Sequence, residues 1–231
     1  MMTHVSTTPL SDSSVKGETG TDSRVPLDQM PADFVDLQTV VPEARFDVRY
    51  FGSDNFLGTR VDGYDAPRCL LSSAAARAVK GVAEAAREKG AGLLIFDCYR
   101  PARAVAHFAR WAADASDQRM KAQYYPEVAK QDLFAEGYLA ARSSHSRGST
   151  LDLTLFDLES GRELDMGTPF DLFSRRSWPS SLEVAPSQRA NRILLADLMV
   201  ANGFIPFETE WWHFTLAHEP HPDTYYDFPI R

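Results

Sequence analysis

Several features that would assign this 231-residue sequence to particular classes of protein are scarce or absent. It has 24 Lys and Arg against 32 Asp and Glu, so its formal net charge is -8 and it lacks the basic surface needed to bind nucleic acid. No apolar run approaches the roughly 18 residues of a membrane helix, and no internal repeat is evident. We therefore expect no nucleic-acid partner and no membrane anchor.

Cysteine is also scarce, since the chain contains only Cys69 and Cys98. Two cysteines are too few to indicate a disulfide framework, and in the cytoplasm they would remain reduced. The sequence therefore predicts two buried thiols. A metal-binding role for Cys98 would require a second cysteine at metal-ligand spacing, and none lies nearby.

The N-terminal segment differs in composition from the rest of the chain. Residues 1–30 are rich in Ser, Thr, Asp and Gly and have no apolar periodicity, which predicts a flexible leader. They also lack the roughly 7 to 15 apolar residues of a secretory signal, so the predicted location is the cytoplasm. Residues 31–231 suit one domain, because a single domain usually has about 100 to 200 residues.

The order of apolar patterns predicts an α+β fold. An Ala-rich run after Ser72 or Ser73 indicates a helix that ends at Gly90, and the apolar residues 93–96 indicate a buried strand. Pro101 then suits the first turn of a second helix. The other predicted elements are strands over 45–51, 151–156, 204–207 and 211–215, and a helix from Pro186 to about Asn202. Because strands and helices do not alternate regularly, we expect helices packed on a mostly antiparallel sheet.

Two short segments contain candidate metal ligands. His145 and Asp152 are seven residues apart, and a turn at Gly148 would let both side chains face one ion. A catalytic zinc usually takes three protein ligands, and His213 is the candidate for the third. Glu210 precedes His213 by three residues, so both can face the same site only if the backbone there is irregular or the metal lies at the end of the strand. Taken singly, each histidine is more often a hydrogen-bonded core residue than a ligand.

These segments resemble a known family. The patterns Ser143-x-His145-x-x-Gly148-x-x-x-Asp152 and Glu210-Trp211-Trp212-His213 are similar to those of the zinc D-alanyl-D-alanine dipeptidases of the VanX type, among the DD-peptidases with the hedgehog-like fold. The resemblance covers roughly residues 45 to 231 and departs from the family pattern at Thr150, where Ala is usual, and at Cys98, where Gly is common. Further similar blocks are Tyr50, 54–56, 61–64, 97–101, 166–171 and 226–229.

The resemblance implies a fold, a cofactor and catalytic roles. It implies a hedgehog or DD-peptidase-like catalytic domain over residues 31–231, with one zinc ion held by His145, Asp152 and His213. Glu210 would act as general base and then general acid, and Arg100 would stabilise the developing oxyanion. Each also has an ordinary interpretation, because Arg100 could form a structural ion pair with Asp97 and Glu210 could be a solvated carboxylate or a partner of a ligand imidazole.

The same resemblance implies a small dipeptide, D-Ala-D-Ala, as the substrate. Asp171, with Tyr50 nearby, would pair with its ammonium group, and Ser143 and Tyr64 would bind its carboxylate. Alternatively, Asp171 caps a turn and the tyrosines pack with satisfied hydroxyls. Two other functions remain open, a carboxypeptidase or endopeptidase acting on peptidoglycan stem peptides and a non-catalytic zinc-binding module. The sequence contains no signal for the oligomeric state.

Overall fold

The structure is a computed structural model that describes residues 28–231. Most of the predicted leader, residues 1–27, lies outside the described residues. The strands are β1 (Phe34–Asp36), β2 (Arg45–Phe46), β3 (Leu70–Ser72), β4 (Ala91–Asp97), β5 (Thr150–Asp157), β6 (Phe204–Pro206) and β7 (His213–Leu216). The α-helices are α1 (Leu37–Val40), α2 (Ser73–Glu88), α3 (Ala102–Ala113), α4 (Lys121–Tyr124) and α5 (Pro186–Ala201). Short 3-10 turns lie at Arg49–Phe51, Lys130–Asp132, Ser144–Arg147 and Arg175–Ser177.

The main sheet has five strands in the order β2-β4-β5-β7-β6. Only β2 and β4 are parallel, and the other three pairings are antiparallel. A second, two-stranded sheet pairs β1 with β3 in antiparallel register. The predicted α+β fold with a mostly antiparallel sheet is confirmed.

The register of the central strands β4, β5 and β7 brings one end of each strand together. Asp97, the last residue of β4, pairs with Asp152 near the start of β5, and Asp152 pairs with His213 at the start of β7. An irregularity in β4 between Ile95 and Asp97 accompanies this arrangement. A bulge of this kind reorients the side chains at a strand end. Asp97, Asp152 and His213 are therefore neighbours, although 116 residues separate the first from the last.

The helices agree with the sequence patterns that predicted them. The Ser72 hydroxyl caps α2 by accepting a hydrogen bond from the Ala75 amide, and α2 buries an Ala and Val face against β4. Pro101 precedes α3, and Pro186 is the first residue of α5. None of the helices between residues 28 and 231 combines the length and apolar character needed to cross a membrane.

One predicted strand is wrong in its second half. The sequence alternates from Arg45 to Phe51, but β2 ends at Phe46 and a 3-10 turn covers Arg49–Phe51. The Asn55 side chain donates hydrogen bonds to the carbonyls of Arg49, Gly52 and Thr59, which folds this segment back on itself. The turn places Tyr50, only 1% exposed, beneath the cavity described below.

The prediction of two buried thiols is correct in the burial of Cys69 and Cys98 but wrong in their oxidation state, because the two residues form a disulfide. Their Cα atoms are 5.2 Å apart, although 29 positions separate them in the sequence. Cys69 directly precedes β3 and Cys98 directly follows β4. The Tyr99 amide donates to the Leu70 carbonyl at 2.9 Å, so the backbone itself brings the two cysteines together. This contact between distant segments leaves no local signal in the sequence.

Candidate active site

Three side chains converge on one point at the end of the central strands of the main sheet. His145 Nε2 lies 3.3 Å from Asp152 Oδ1, His213 Nδ1 lies 3.2 Å from the same oxygen, and the two ring nitrogens are 3.2 Å apart. A tetrahedral zinc ion with ligand bonds of about 2.0 to 2.1 Å holds its ligand atoms about 3.3 Å from one another. The three predicted metal ligands are thus brought together with the spacing that zinc requires.

Local sequence explains how His145 and Asp152 reach this position. The Ser143 hydroxyl accepts a hydrogen bond from the His145 amide and so caps the 3-10 turn of Ser144–Arg147. Gly148 ends that turn with a φ of 78°, and the Phe34 ring fills the space that a Cβ atom would occupy. Only glycine meets both conditions at low cost. The turn predicted at Gly148 is confirmed, and β5 begins two residues later.

Each imidazole is held by a hydrogen bond through its other nitrogen. His145 Nδ1 donates to the Cys98 carbonyl at 2.7 Å, which leaves Nε2 free for a metal. His213 Nε2 lies 3.3 Å from the Ser144 hydroxyl, which leaves Nδ1. Such outer partners fix the tautomer and the orientation of a ligating histidine. Sequence reasoning missed both, since a backbone carbonyl has no residue signature and Ser144 is one of several serines in its segment.

The electrostatics of His145 and Asp152 favour a cation between the three predicted ligands. Burial lowers the pKa of His145, which keeps it in the neutral form that binds metals. Burial would raise the pKa of Asp152, but the two imidazoles outweigh it and the pKa is lowered. Asp152 Oδ1 accepts no hydrogen bond from any residue between 28 and 231. A buried anionic oxygen without a donor is an uncommon arrangement, and a bound cation would satisfy it.

Glu210 lies beside the three ligands. Its Oε2 is 3.4 Å from His213 Nδ1. It precedes β7 in a turn where the His213 amide donates to the Glu210 carbonyl at 3.4 Å, so the alternation of a strand does not apply between the two residues. Burial raises the pKa of Glu210 to about 7. A carboxyl group with a pKa near neutrality can both accept and return a proton at neutral pH.

Arg100 is held rigidly close to the three predicted ligands, with its Nη2 atom 3.6 Å from Asp152 Oδ2. Its Nε and Nη2 donate to Asp97 Oδ2 at 3.0 and 2.8 Å, so the structural ion pair considered from the sequence does form. Its guanidinium also stacks 5.0 Å from the ring centres of both Tyr50 and Phe108. The remaining nitrogen, Nη1, lies 3.5 Å from the Ser143 hydroxyl, and both residues line a cavity. The ion pair with Asp97 therefore fixes the Arg100 guanidinium in place and leaves Nη1 without a hydrogen-bonded carboxylate partner among residues 28–231.

A cavity of about 370 Å³ opens onto these groups. Three of the four predicted substrate-binding residues line it, namely Asp171, Tyr50 and Ser143. The Tyr50 hydroxyl donates to Asp171 Oδ2 at 2.7 Å. Tyr64 is different, because it does not line this cavity and its hydroxyl donates to Asp97 Oδ1 at 2.7 Å. Tyr64 thus contacts the carboxylate that holds Arg100 and is not part of the cavity wall.

Asp171 has an unusual backbone and an unusual environment. Its φ of 60° is the only positive value among the non-glycine residues between 28 and 231. Such left-handed backbone is uncommon outside glycine, although Asp tolerates it better than most residues. Burial, followed by the negative charge of Asp152, raises the pKa of Asp171 well above its usual range. A cation placed beside this carboxyl would stabilise its ionised form.

Known proteins are similar in sequence to this chain over most of its length. Residues 30–231 match the Peptidase_M15 family, described as D-ala-D-ala dipeptidase. The D-alanyl-D-alanine dipeptidase of Streptomyces coelicolor is 45% identical over 87% of this chain and all of that protein, and the one of Enterococcus faecalis is 40% identical over the same shares. A solved LD-carboxypeptidase structure matches 84% of this chain and 72% of its own, with 17% identity and a TM-score of 0.44. The chain belongs to the Peptidase_M15 family of D-ala-D-ala dipeptidases.

Proposed function

We propose that this protein hydrolyses the dipeptide D-Ala-D-Ala to two molecules of D-alanine with one zinc ion per chain. The observation that carries the proposal is the convergence of His145, Asp152 and His213 on a point beside Glu210 and close to the fixed guanidinium of Arg100. The relatives named D-alanyl-D-alanine dipeptidase support the choice of substrate.

The chain's own residues account for proton transfer and charge stabilisation. Zinc held by His145, Asp152 and His213 would make the attacking water more acidic and the peptide carbonyl more electrophilic. Glu210 accepts the proton of the attacking water and returns it to the leaving amine. Arg100 presents Nη1 to the carbonyl oxygen as negative charge develops there, and its guanidinium cannot lose that charge by deprotonation.

Recognition of a free dipeptide requires groups for both of its ends. In our proposal the carboxylate of Asp171, held by the Tyr50 hydroxyl, pairs with the ammonium group, and Ser143 donates to the terminal carboxylate. Tyr64 supports the reaction by holding Asp97, which in turn orients Arg100. This differs from the role that the resemblance implies for Tyr64, because its hydroxyl is already engaged.

Replacing Asp171 tests recognition of the ammonium group. We expect Asp171→Asn to lower kcat/KM for D-Ala-D-Ala by about 100-fold, because removing one partner of a buried charge pair costs several kcal/mol. Turnover of N-acetyl-D-Ala-D-Ala, which has no ammonium, should change less than about threefold. Glu159→Gln removes an exposed carboxylate that does not line the cavity, with the same change in charge, and is the control. An unchanged preference for the free amine in Asp171→Asn would remove this residue from the role.

The proposed activity is tested by D-alanine release from protein of known zinc content. D-Ala-D-Ala, L-Ala-L-Ala and a stem pentapeptide ending in D-Ala-D-Ala are supplied side by side. We expect release from the free D,D-dipeptide only. Release from the pentapeptide would instead establish a carboxypeptidase, and no release with zinc bound would favour a non-catalytic binding module.

We assign this activity to a catalytic domain comprising residues 31–231. The family match over residues 30–231 supports that boundary, as does the buried core that runs from Phe34 to Ile230. A cytoplasmic location is still a prediction from the sequence, whereas a disulfide is more typical of oxidising compartments. Cell fractionation combined with thiol alkylation before lysis distinguishes the two locations.

A further inference from the structure

We propose that Arg142 binds the terminal carboxylate of the substrate and is a specificity-determining residue. The inference rests on the proposed dipeptidase function and adds a charged partner for the end of the substrate opposite its ammonium group. The carboxylate needs such a partner because Tyr64, whose role the resemblance placed there, donates its hydroxyl to Asp97 instead.

Arg142 is the cavity arginine whose charge could pair with the carboxylate of a ligand. Three arginines line the cavity, Arg100, Arg142 and Arg147. Arg100 is paired with Asp97, and Arg147 forms a two-point ion pair with Glu219 at 2.8 and 2.7 Å. Arg142, by contrast, forms no ion pair with any residue in the described part of the chain, 28–231. Its charge is therefore not already neutralised by a carboxylate of that part.

The position of Arg142 suits the carboxylate end of a short ligand. It directly precedes Ser143 and stands three residues before His145, a span of at most about 11 Å along the chain. The Arg142 guanidinium lies 5.1 Å from the ring centre of Tyr225, a contact that supports the side chain at the cavity rim. A dipeptide whose carbonyl lies at the metal ligands would thus have its last group near Ser143 and Arg142.

The acidic residues of the cavity also favour Arg142 as the partner of the ligand's carboxylate. The carboxylates that line it belong to Asp152, Asp171 and Glu210. Each of these would repel the carboxylate of a ligand, and Asp171 is suited to the ammonium instead. Opposite charges at the two ends would select ligands by length, since a longer peptide cannot present both termini to Asp171 and Arg142 together. A guanidinium also matches the planar geometry of a carboxylate.

Steady-state kinetics with Arg142→Gln tests this role. We expect KM for D-Ala-D-Ala to rise about tenfold, as is typical when a hydrogen bond to a charged group is lost, while kcat changes less than twofold. Arg142→Lys should recover part of the loss, because it keeps the charge without the planar fork. For D-Ala-D-alaninamide, which has no carboxylate, Arg142→Gln and the unaltered protein should have the same KM.

Arg77→Gln is the control variant for Arg142→Gln. Arg77→Gln removes an exposed arginine on α2, outside the cavity, with the same change in net charge and should leave KM unchanged. An unchanged KM in Arg142→Gln, an equal rise with the amide, or a fall in kcat alone would overturn the proposal. If the unaltered protein does not cleave D-Ala-D-Ala, calorimetric binding of that dipeptide replaces KM. Weaker binding to Arg142→Gln would then support the role of Arg142 while the dipeptidase proposal fails, and equal or undetectable binding would overturn it.

Discussion

Glu210→Gln is expected to lower kcat for D-Ala-D-Ala by about 1000-fold or more while the protein keeps its zinc. The amide has nearly the same shape as the carboxyl group but cannot accept the proton of the attacking water. General base catalysis typically contributes about 100-fold to 10,000-fold, and here the same group also returns the proton to the leaving amine. The measurement combines turnover of D-Ala-D-Ala with the zinc content of the same protein preparation.

Glu208→Gln is the matched control for this substitution. Glu208 is exposed and lies two residues before Glu210 in the same turn, so the change alters the local charge equally. Its kcat should stay within about twofold of the unaltered protein. Loss of zinc together with activity in Glu210→Gln would identify Glu210 as a ligand or a structural group. Retained activity would exclude it as the base.

Asp152→Asn should deprive the site of its metal. Asp152 Oδ1 lies 3.2 to 3.3 Å from the nitrogens of the two histidines in the proposed ligand set, and Asp152 is the anionic member of that set. An amide preserves the shape but removes the charge, so we expect zinc affinity to fall by more than the 10-fold to 100-fold typical of changing an outer partner. Competition with a chromophoric chelator measures the affinity, and turnover should fall in proportion to zinc occupancy.

Asp157→Asn alters a carboxylate at the other end of the same strand and is the control for metal binding. Unaltered protein stripped of metal should lose turnover and regain it when zinc is added back. Saturating zinc should restore turnover in Asp152→Asn only in proportion to the occupancy it achieves. Normal zinc affinity in Asp152→Asn would remove this residue from the ligand set.

The parts of the fold that could be predicted from the sequence are those that local chemistry determines. The N-cap at Ser72, the apolar residues of β4 and the proline at the start of α5 each act within a few residues. Short motifs also indicate the candidate metal ligands, on the condition that the backbone is irregular between Glu210 and His213 or that the metal lies at the end of the strand. The structure meets the condition because β7 begins at His213.

The parts that could not be predicted depend on contacts between distant segments. β1 and β3 have only three residues each and are stabilised by pairing with one another, so neither has a periodic pattern of its own. The direction of the Tyr64 hydroxyl depends on the buried carboxylate of Asp97, which is 33 positions away. Such contacts appear only once the whole chain is packed.

The disulfide has a thermodynamic consequence for the metal site. Cys98 contributes its sulfur to the bond with Cys69 and its carbonyl to the hydrogen bond that orients His145. Oxidation of the thiols and zinc binding thus act on the same short segment, and any coupling of their free energies must be reciprocal. Because the disulfide restrains Cys98, whose carbonyl orients His145, we expect zinc to shift the midpoint of thiol oxidation, titrated with a glutathione buffer, toward the disulfide. An identical midpoint with and without zinc would show that the two equilibria are independent.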